Sequence, residues 1–204
     1  MVEAVIHGIF PTPIYISKIN RELSKKEIVL IKKSKVNSYK NEGNITSKDS
    51  YILNSPSFNV LKKELQKIVE DYFDKIIQPE KGITPYITQS WLNYTEENQY
   101  HHKHKHPNSL VSGVFYIDCH KELDKINFYR ESYPAIAPRI KTYNPFNSES
   151  WYFPVKTGDV LLFPSSLTHM VVTKEGSNTR TSLAFNVFVK GNIGSKESLT
   201  ELII

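Results

Sequence analysis

A chain of 204 residues with 39% hydrophobic and 12% aromatic side chains can bury one sizeable core and is too short for two full domains. Its formal charge of +5 comes from dispersed lysines, with arginine only at Arg21, Arg130, Arg139 and Arg180. Phosphate and base recognition lean on arginine, so a nucleic-acid module is disfavoured, and the single cysteine, Cys119, excludes a disulfide framework or a cysteine-rich zinc module.

Residues 5–16 are largely apolar but interrupted by His7, Gly8, Pro11 and Pro13, which predicts an extended edge segment broken by turns. Ser24 and Glu27 have capping-box spacing and predict a first helix with Ile28, Leu30 and Ile31 as its apolar stripe. Polar, turn-rich residues 37–51 read as a loop. Ser57 is the expected cap of a second helix, in which Phe58, Leu61, Leu65, Ile68, Val69, Tyr72, Phe73, Ile76 and Ile77 recur at helical spacing up to Pro79.

Past Pro85 the texture changes to short β-rich runs, at 86–94, 110–118, 125–129, 151–155, 159–163, 169–173 and 180–190, with turns at Gly158-Asp159 and Glu175-Gly176. Seven or eight strands beside a helical layer predict a mainly β fold with flanking helices, a jelly roll or related double-sheet barrel. The expected plan is a single domain, with an edge strand and helical buttress over 1–84 and the β core over 85–190. The stretch 131–150, rich in Pro, Asn and Ser, is too long for a hairpin and reads as a lid or substrate-facing loop. Residues 1–13 lack the charged-then-apolar order of a signal peptide, and no apolar run is long enough to span a bilayer. A soluble protein of a reducing cytoplasm, with no membrane partner, is therefore expected.

Chemistry concentrates in the run His101-His102-Lys103-His104-Lys105-His106, in the distant His169, and in Arg180 beyond it. Histidines one residue apart project from one face of a strand, and neutral imidazole is the commonest ligand of iron, zinc and copper. His-x-His plus one histidine brought alongside by the fold can hold an ion from three directions. His102-Lys103-His104 offers the same spacing as His104-Lys105-His106, so the register is open. His7 and His120 stand alone and read as structural or exposed, and Trp91, Trp151 and Phe163 as core.

Several ordered segments carry a resemblance. His104-Lys105-His106-Pro107-Asn108-Ser109, Ser112-Gly113-Val114-Phe115-Tyr116, Gly158-Asp159-Val160-Leu161-Leu162-Phe163-Pro164-Ser165, His169-Met170-Val171 and Arg180-Thr181-Ser182-Leu183-Ala184-Phe185-Asn186 together resemble the 2-oxoglutarate and iron(II)-dependent oxygenases of phages and bacteria. The similarity runs from about Trp91 to Val189, and Phe10-Pro11-Thr12-Pro13 fits it too. It implies a double-stranded β-helix, cupin-like, buttressed by two or more N-terminal helices. It also implies Fe(II) and 2-oxoglutarate as cofactors, O2 as cosubstrate, and a substrate hydroxylated with release of succinate and CO2. A phage gene would place the enzyme in the host cytoplasm. By the resemblance, His104, His106 and His169 are the metal ligands, and Arg180 pairs with the far carboxylate of 2-oxoglutarate. On hydrogen-bonding capacity Ser182 and Tyr116, and on strand alternation Asn186 and Asn93, are the further candidates to face the cosubstrate, with no catalytic side chain expected beyond the metal centre.

One departure from the family pattern stands out. The usual triad pairs two histidines with a carboxylate, and here His106 occupies the carboxylate position. Three neutral ligands leave bound iron(II) one positive unit more charged. Glu96, Glu97 and Asp118 have no spacing that restores an acid. Two other readings therefore stay open: a three-histidine cupin-like dioxygenase without 2-oxoglutarate, and a non-catalytic, metal-stabilised binding module. Substrate identity is not legible, and a homodimer is neither required nor excluded.

Overall fold

Pro11 and Pro13 have no N–H to give to a ladder, so the strand expected over 5–16 begins only beyond them. In the computed structural model, which describes residues 2–132, 136 and 138–204, β1 (Tyr15–Lys18) lies at a sheet edge, with Tyr15 opposite Leu162 and Lys18 opposite Asp159. Then comes α1 (Lys25–Val36), opened by the expected capping box: Glu27 N–H donates to Ser24 Oγ and Ser24 N–H donates to the Glu27 carboxylate. The stripe differs from expectation. Ile28 is exposed, whereas Glu27, Ile31 and Ser34 face inward. Glu27 is tolerated there because Arg21 clamps both its oxygens, at 2.7 and 2.8 Å.

Two short strands, β2 (Ser38–Lys40) and β3 (Ile45–Ser47), occupy the segment expected to be loop and extend a sheet through Ile45 and Thr46. Three residues are too few for alternation to be visible in sequence. Ser57 lies in a 3-10 turn, Pro56–Phe58, and is not a cap; α2 (Asn59–Tyr72) starts without a side-chain cap and continues through a π-helical turn, Phe73–Ile77. It ends at Gln78, whose φ of 48° breaks the helix just before Pro79. Leu61, Leu65 and Val69 are fully buried, each worth about 1.5–3 kcal/mol of burial, while Ile76 and Ile77 are exposed.

The remaining strands are β4 (Thr84–Thr95), β5 (His101–His104), β6 (Val111–Asp118), β7 (Lys125–Tyr129), β8 (Ser150–Pro154), β9 (Asp159–Pro164), β10 (His169–Val171) and β11 (Arg180–Lys190), then a short hairpin of β12 (Asn192–Ile193) and β13 (Leu202–Ile203). A seven-stranded sheet runs β1-β9-β6-β11-β4-β3-β2, and a four-stranded sheet runs β5-β10-β7-β8, with every strand pair antiparallel. The four central strands β9, β6, β11 and β4 face the four strands of the smaller sheet, which is the expected double-stranded β-helix; the larger sheet is extended by β1 and by β3-β2 at its edges.

Alternation divides the large sheet into two faces. Leu183, Phe185, Val187, Leu92, Tyr94 and Phe115 join the helices in the larger core, whereas Arg180, Ser182, Ala184, Trp91, Asn93 and Tyr116 turn into the barrel. Tyr116, Ile126, Phe128, Leu161 and Phe163 close the barrel floor as a second core. Opposite Phe185 the chain has Gly113, where any Cβ would stand 2.2 Å from the phenyl ring. Glycine is thus what lets the two strands pair with that ring between them.

Loop 131–150 falls partly outside the described residues, at 133–135 and 137. Its described part lies over the smaller sheet, where Phe146 and Glu149 share a groove with Ile9 and Phe10 of the N-terminal segment. Glu131 reaches the histidine run through Lys105 at 2.6 Å.

Candidate metal site and its cavity

His104 and His169 sit directly opposite each other on β5 and β10, so cross-strand pairing alone brings their rings to 4.3 Å between centroids. His106 arrives differently. β5 stops at His104, and the following turn is pinned by His106 N–H donating to Ser165 O at 3.0 Å. Its ring then stacks on His169 at 5.2 Å and stands 4.9 Å from His104. One ligand nitrogen from each of the three lies within 4.8 Å of the others, a spacing that can hold an ion.

The hydrogen bonds orient these rings. His104 Nδ1–H donates to His102 O at 2.8 Å, and His169 Nδ1–H donates to Leu167 O at 3.0 Å. Each bond fixes the tautomer that leaves Nε2 as a lone pair, the support that metal-binding histidines require. Burial keeps the rings uncharged: His169 is pushed down to about 3 and His106 to about 4, first by desolvation and then by neighbouring imidazoles. His104 is lowered as well, chiefly by desolvation. All three present neutral nitrogen at neutral pH, as a cation needs.

A second group, His101, His102 and His104, also meets the spacing for an ion. It shares His104, whose Nδ1 is already spent on His102 O, so His104 can serve one ion only. His169 joins only the group with His106. His101 is less peripheral than its sequence position suggests: it stacks on His104 at 4.5 Å, lines the cavity, and is lowered to about 2 by burial. Among the described residues, the groups with metal-binding spacing contain histidines alone; Glu96, Glu97 and Asp118 take no part.

From the three histidines a cavity runs inward between the sheets toward Arg180. Arg180, Ser182 and Tyr116 all line it, as the sequence leads one to expect, and all are buried. Burial raises the Tyr116 hydroxyl far above the usual phenol range, so it stays protonated and able to donate. Arg180 Nη1 donates to Asp124 Oδ1 at 3.1 Å, and Asp124 Oδ2 accepts from His120 N–H at 2.7 Å. Asn186 is placed elsewhere. It accepts from Ser112 at 3.4 Å within a serine chain, Ser112 to Ser165 to Ser109, behind the turn that carries His106. It lies opposite Ser112 on β6, in register with Ser182 opposite Tyr116, farther along the same strand.

Sequence reasoning missed Asp124, Thr95 and Trp91. Thr95 is buried opposite Arg180 and, with Asn93, lines the cavity at alternate positions of β4. Trp91 is a cavity wall 5.6 Å from His106 rather than core. The period-two alternation along β4 that points Asn93 into the cavity extends to Trp91 and Thr95 on either side of it. Nothing local marks Asp124, which meets Arg180 only through the fold. Phe163 is core, as expected, and also packs edge-on against His169 at 4.8 Å.

Residues 89–186 match the family described as "Putative 2OG-Fe(II) oxygenase". No curated protein sequence matches the chain. Among solved structures, the chain is similar to HygX of Streptomyces hygroscopicus with nickel, 2-oxoglutarate and hygromycin B bound, at 15% identity and a TM-score of 0.58 over 86% of this chain and 82% of that one. It is similar to the non-heme alpha ketoglutarate dependent epimerase SnoN from nogalamycin biosynthesis, at 9% identity and a TM-score of 0.63 over 87% and 76% of the chains. A Pseudomonas putida prolyl-4-hydroxylase is similar at 8% identity and a TM-score of 0.54, over 86% and 92%. At such identities these likenesses establish the shared fold.

Proposed function

We propose that the chain, whose residues 89–186 match the 2OG-Fe(II) oxygenase family, belongs to that family and is a hydroxylase that uses iron(II) and 2-oxoglutarate. The observation that carries this reading is one cavity with three neutral histidines at one end, two of them oriented by backbone carbonyls, and a buried guanidinium at the other. His104, His106 and His169 would hold the iron. Arg180 keeps donors beyond the one given to Asp124, because a guanidinium has five, and these would fork onto the far carboxylate of 2-oxoglutarate. Ser182, Tyr116 and Thr95 supply hydroxyls around the same carboxylate or its chain. When bound, iron(II) supplies the oxygen chemistry, in which one O2 is divided between succinate, formed with loss of CO2, and the hydroxyl of the product.

The protein's own part is positional and electrostatic. Phe163, Ile126 and Val114 give the cavity apolar walls that exclude water, which strengthens the Arg180 contact. Three neutral ligands leave both charges of the cation for the dianionic cosubstrate to balance, so metal and cosubstrate binding are coupled. That all-histidine set is also what favours a second reading, a three-histidine dioxygenase that binds its substrate to iron without 2-oxoglutarate.

The deciding measurement is succinate formation coupled to oxygen uptake by iron-loaded protein, with Arg180→Ala beside the parent. Succinate from the parent and a large loss in the variant are expected. Oxygen uptake without succinate selects the second reading, and neither product nor uptake sinks both.

A further inference from the structure

On the solvent side of the histidines lies a second depression, between the β2–β3 hairpin and the run His101–His106. Trp91 lines it and also walls the inner cavity, and both spaces share His101, His104 and His106, so they meet at the histidines. Tyr39 and Asn41 reach it from the hairpin at alternate positions, Gln89 from β4 two residues before Trp91, and Ser50 from the connection that follows β3. Thr46 and Ser47 also line it but are committed to holding the hairpin on β4: Thr46 donates to Asn93 Oδ1, and Ser47 accepts from Leu92 N–H and donates to Asp49 O. Among the described residues, the lining contains no carboxylate, ammonium or guanidinium.

We infer that this depression is the substrate site, and that it takes a neutral, polyhydroxylated ring compound such as a glycoside or cyclitol. The inference rests on the oxygenase reading for its reaction, but the pocket chemistry stands by itself. A charged substrate would lose hydration here and meet no opposite charge, which is costly even at a half-open site. A purely apolar one would leave the Tyr39 hydroxyl and the Asn41 and Gln89 amides facing it unpaired. A sugar-like ring satisfies both halves. Its C–H face lies on the indole of Trp91, and its hydroxyls, each donor and acceptor, bond the two amides and the phenol. Seated on Trp91, 5.6 Å from the His106 ring, a ring carbon is held at the metal end of the cavity and a C–H bond is what it offers for hydroxylation.

The test uses full-length protein carrying Trp151→Phe, so that Trp91 is the only indole reporting. Emission is followed on titration with methyl glucoside, myo-inositol and cellobiose, and with glucosamine, glucuronate and glucose 6-phosphate as charged counterparts. At least one neutral compound should shift Trp91 emission while its charged counterparts do not. Asn41→Ala and Gln89→Ala should each weaken binding roughly five- to tenfold, the loss of about one hydrogen bond, with melting little changed because Gln89 is exposed and Asn41 only half-buried. No shift with any neutral compound, or equal binding of charged ones, overturns the assignment. Polyol binding without succinate formation sinks the oxygenase reading alone; succinate formation without polyol binding sinks the substrate class alone.

Discussion

Arg180 and Asp124 form an ion pair at 3.1 Å with 4% and 2% of their side chains exposed, in the wall of the cavity that the metal-site histidines share. Asp124 is held on its other side by the His120 N–H, so the carboxylate fixes where the guanidinium points. Asp124→Ala should cost about 3–5 kcal/mol of stability, because it strands a buried cation. In whatever protein folds, KM for 2-oxoglutarate should rise more than kcat falls. Unchanged KM for 2-oxoglutarate in a folded Asp124 variant would show that Arg180 does not depend on this partner for its orientation.

The ligand register can be read from metal affinity. His104→Ala, His106→Ala and His169→Ala should each weaken binding of Ni(II) or Zn(II) by more than about a hundredfold, beyond the range usual for supporting residues. His102→Ala should leave affinity nearly intact, since His104 is oriented by the backbone oxygen of residue 102, which the substitution keeps. Calorimetric titration of the four variants checks this. Equal loss in His102→Ala would move the ion to the outer group.

Buried neutral histidines make the metal-free protein acid-labile. Above the unfolded value near 6.5 neither state is charged and stability is unaffected. Below it the unfolded chain takes up protons that His169, lowered to about 3, and His106, lowered to about 4, still refuse. Stability should therefore fall as pH drops through about 6.5 to 5, above the range in which carboxylates titrate. Melting temperatures in the presence of a chelator report it. A flat profile over that window would mean that the rings protonate freely in the folded state.

Gly113→Ala is expected to destabilise by about 1–3 kcal/mol or more, as overpacking does, since the new methyl would sit 2.2 Å from the Phe185 ring. The ring is fully buried and backed by the helical core, so it has little room to move. Pairing the change with Phe185→Leu should recover part of the loss. Chemical denaturation of single and double variants measures both terms.

The β core was legible because its strands alternate strongly: 125–129 and 180–190 coincide with β7 and β11. The capping box at Ser24 and Glu27 was legible for the same local reason. Strands β2 and β3 were hidden because three residues carry no periodic signal, and their stability comes from docking on β4. In the site, His104, His169, Arg180, Ser182 and Tyr116 share one cavity as their motifs imply. Asn186 does not; it lies opposite Ser112 on β6 and accepts its hydroxyl, a partner that only the fold brings to it. Asp124 lies 56 residues from its partner and could not be paired without the fold.

Strand β11 turns Leu183 and Val187 into the helical core and Arg180, Ser182 and Ala184 into the cavity, while Phe185 belongs to the core and also borders the cavity. Cavity lining and structural integrity are therefore written mainly on opposite faces of one ribbon, joined at Phe185. Ala184, opposite Trp91, can be exchanged to reshape the cavity with little effect on the hydrophobic layer behind it. Inserting or deleting one residue in this strand would instead invert both records at once, sending Leu183 toward the metal site and Ser182 into oil.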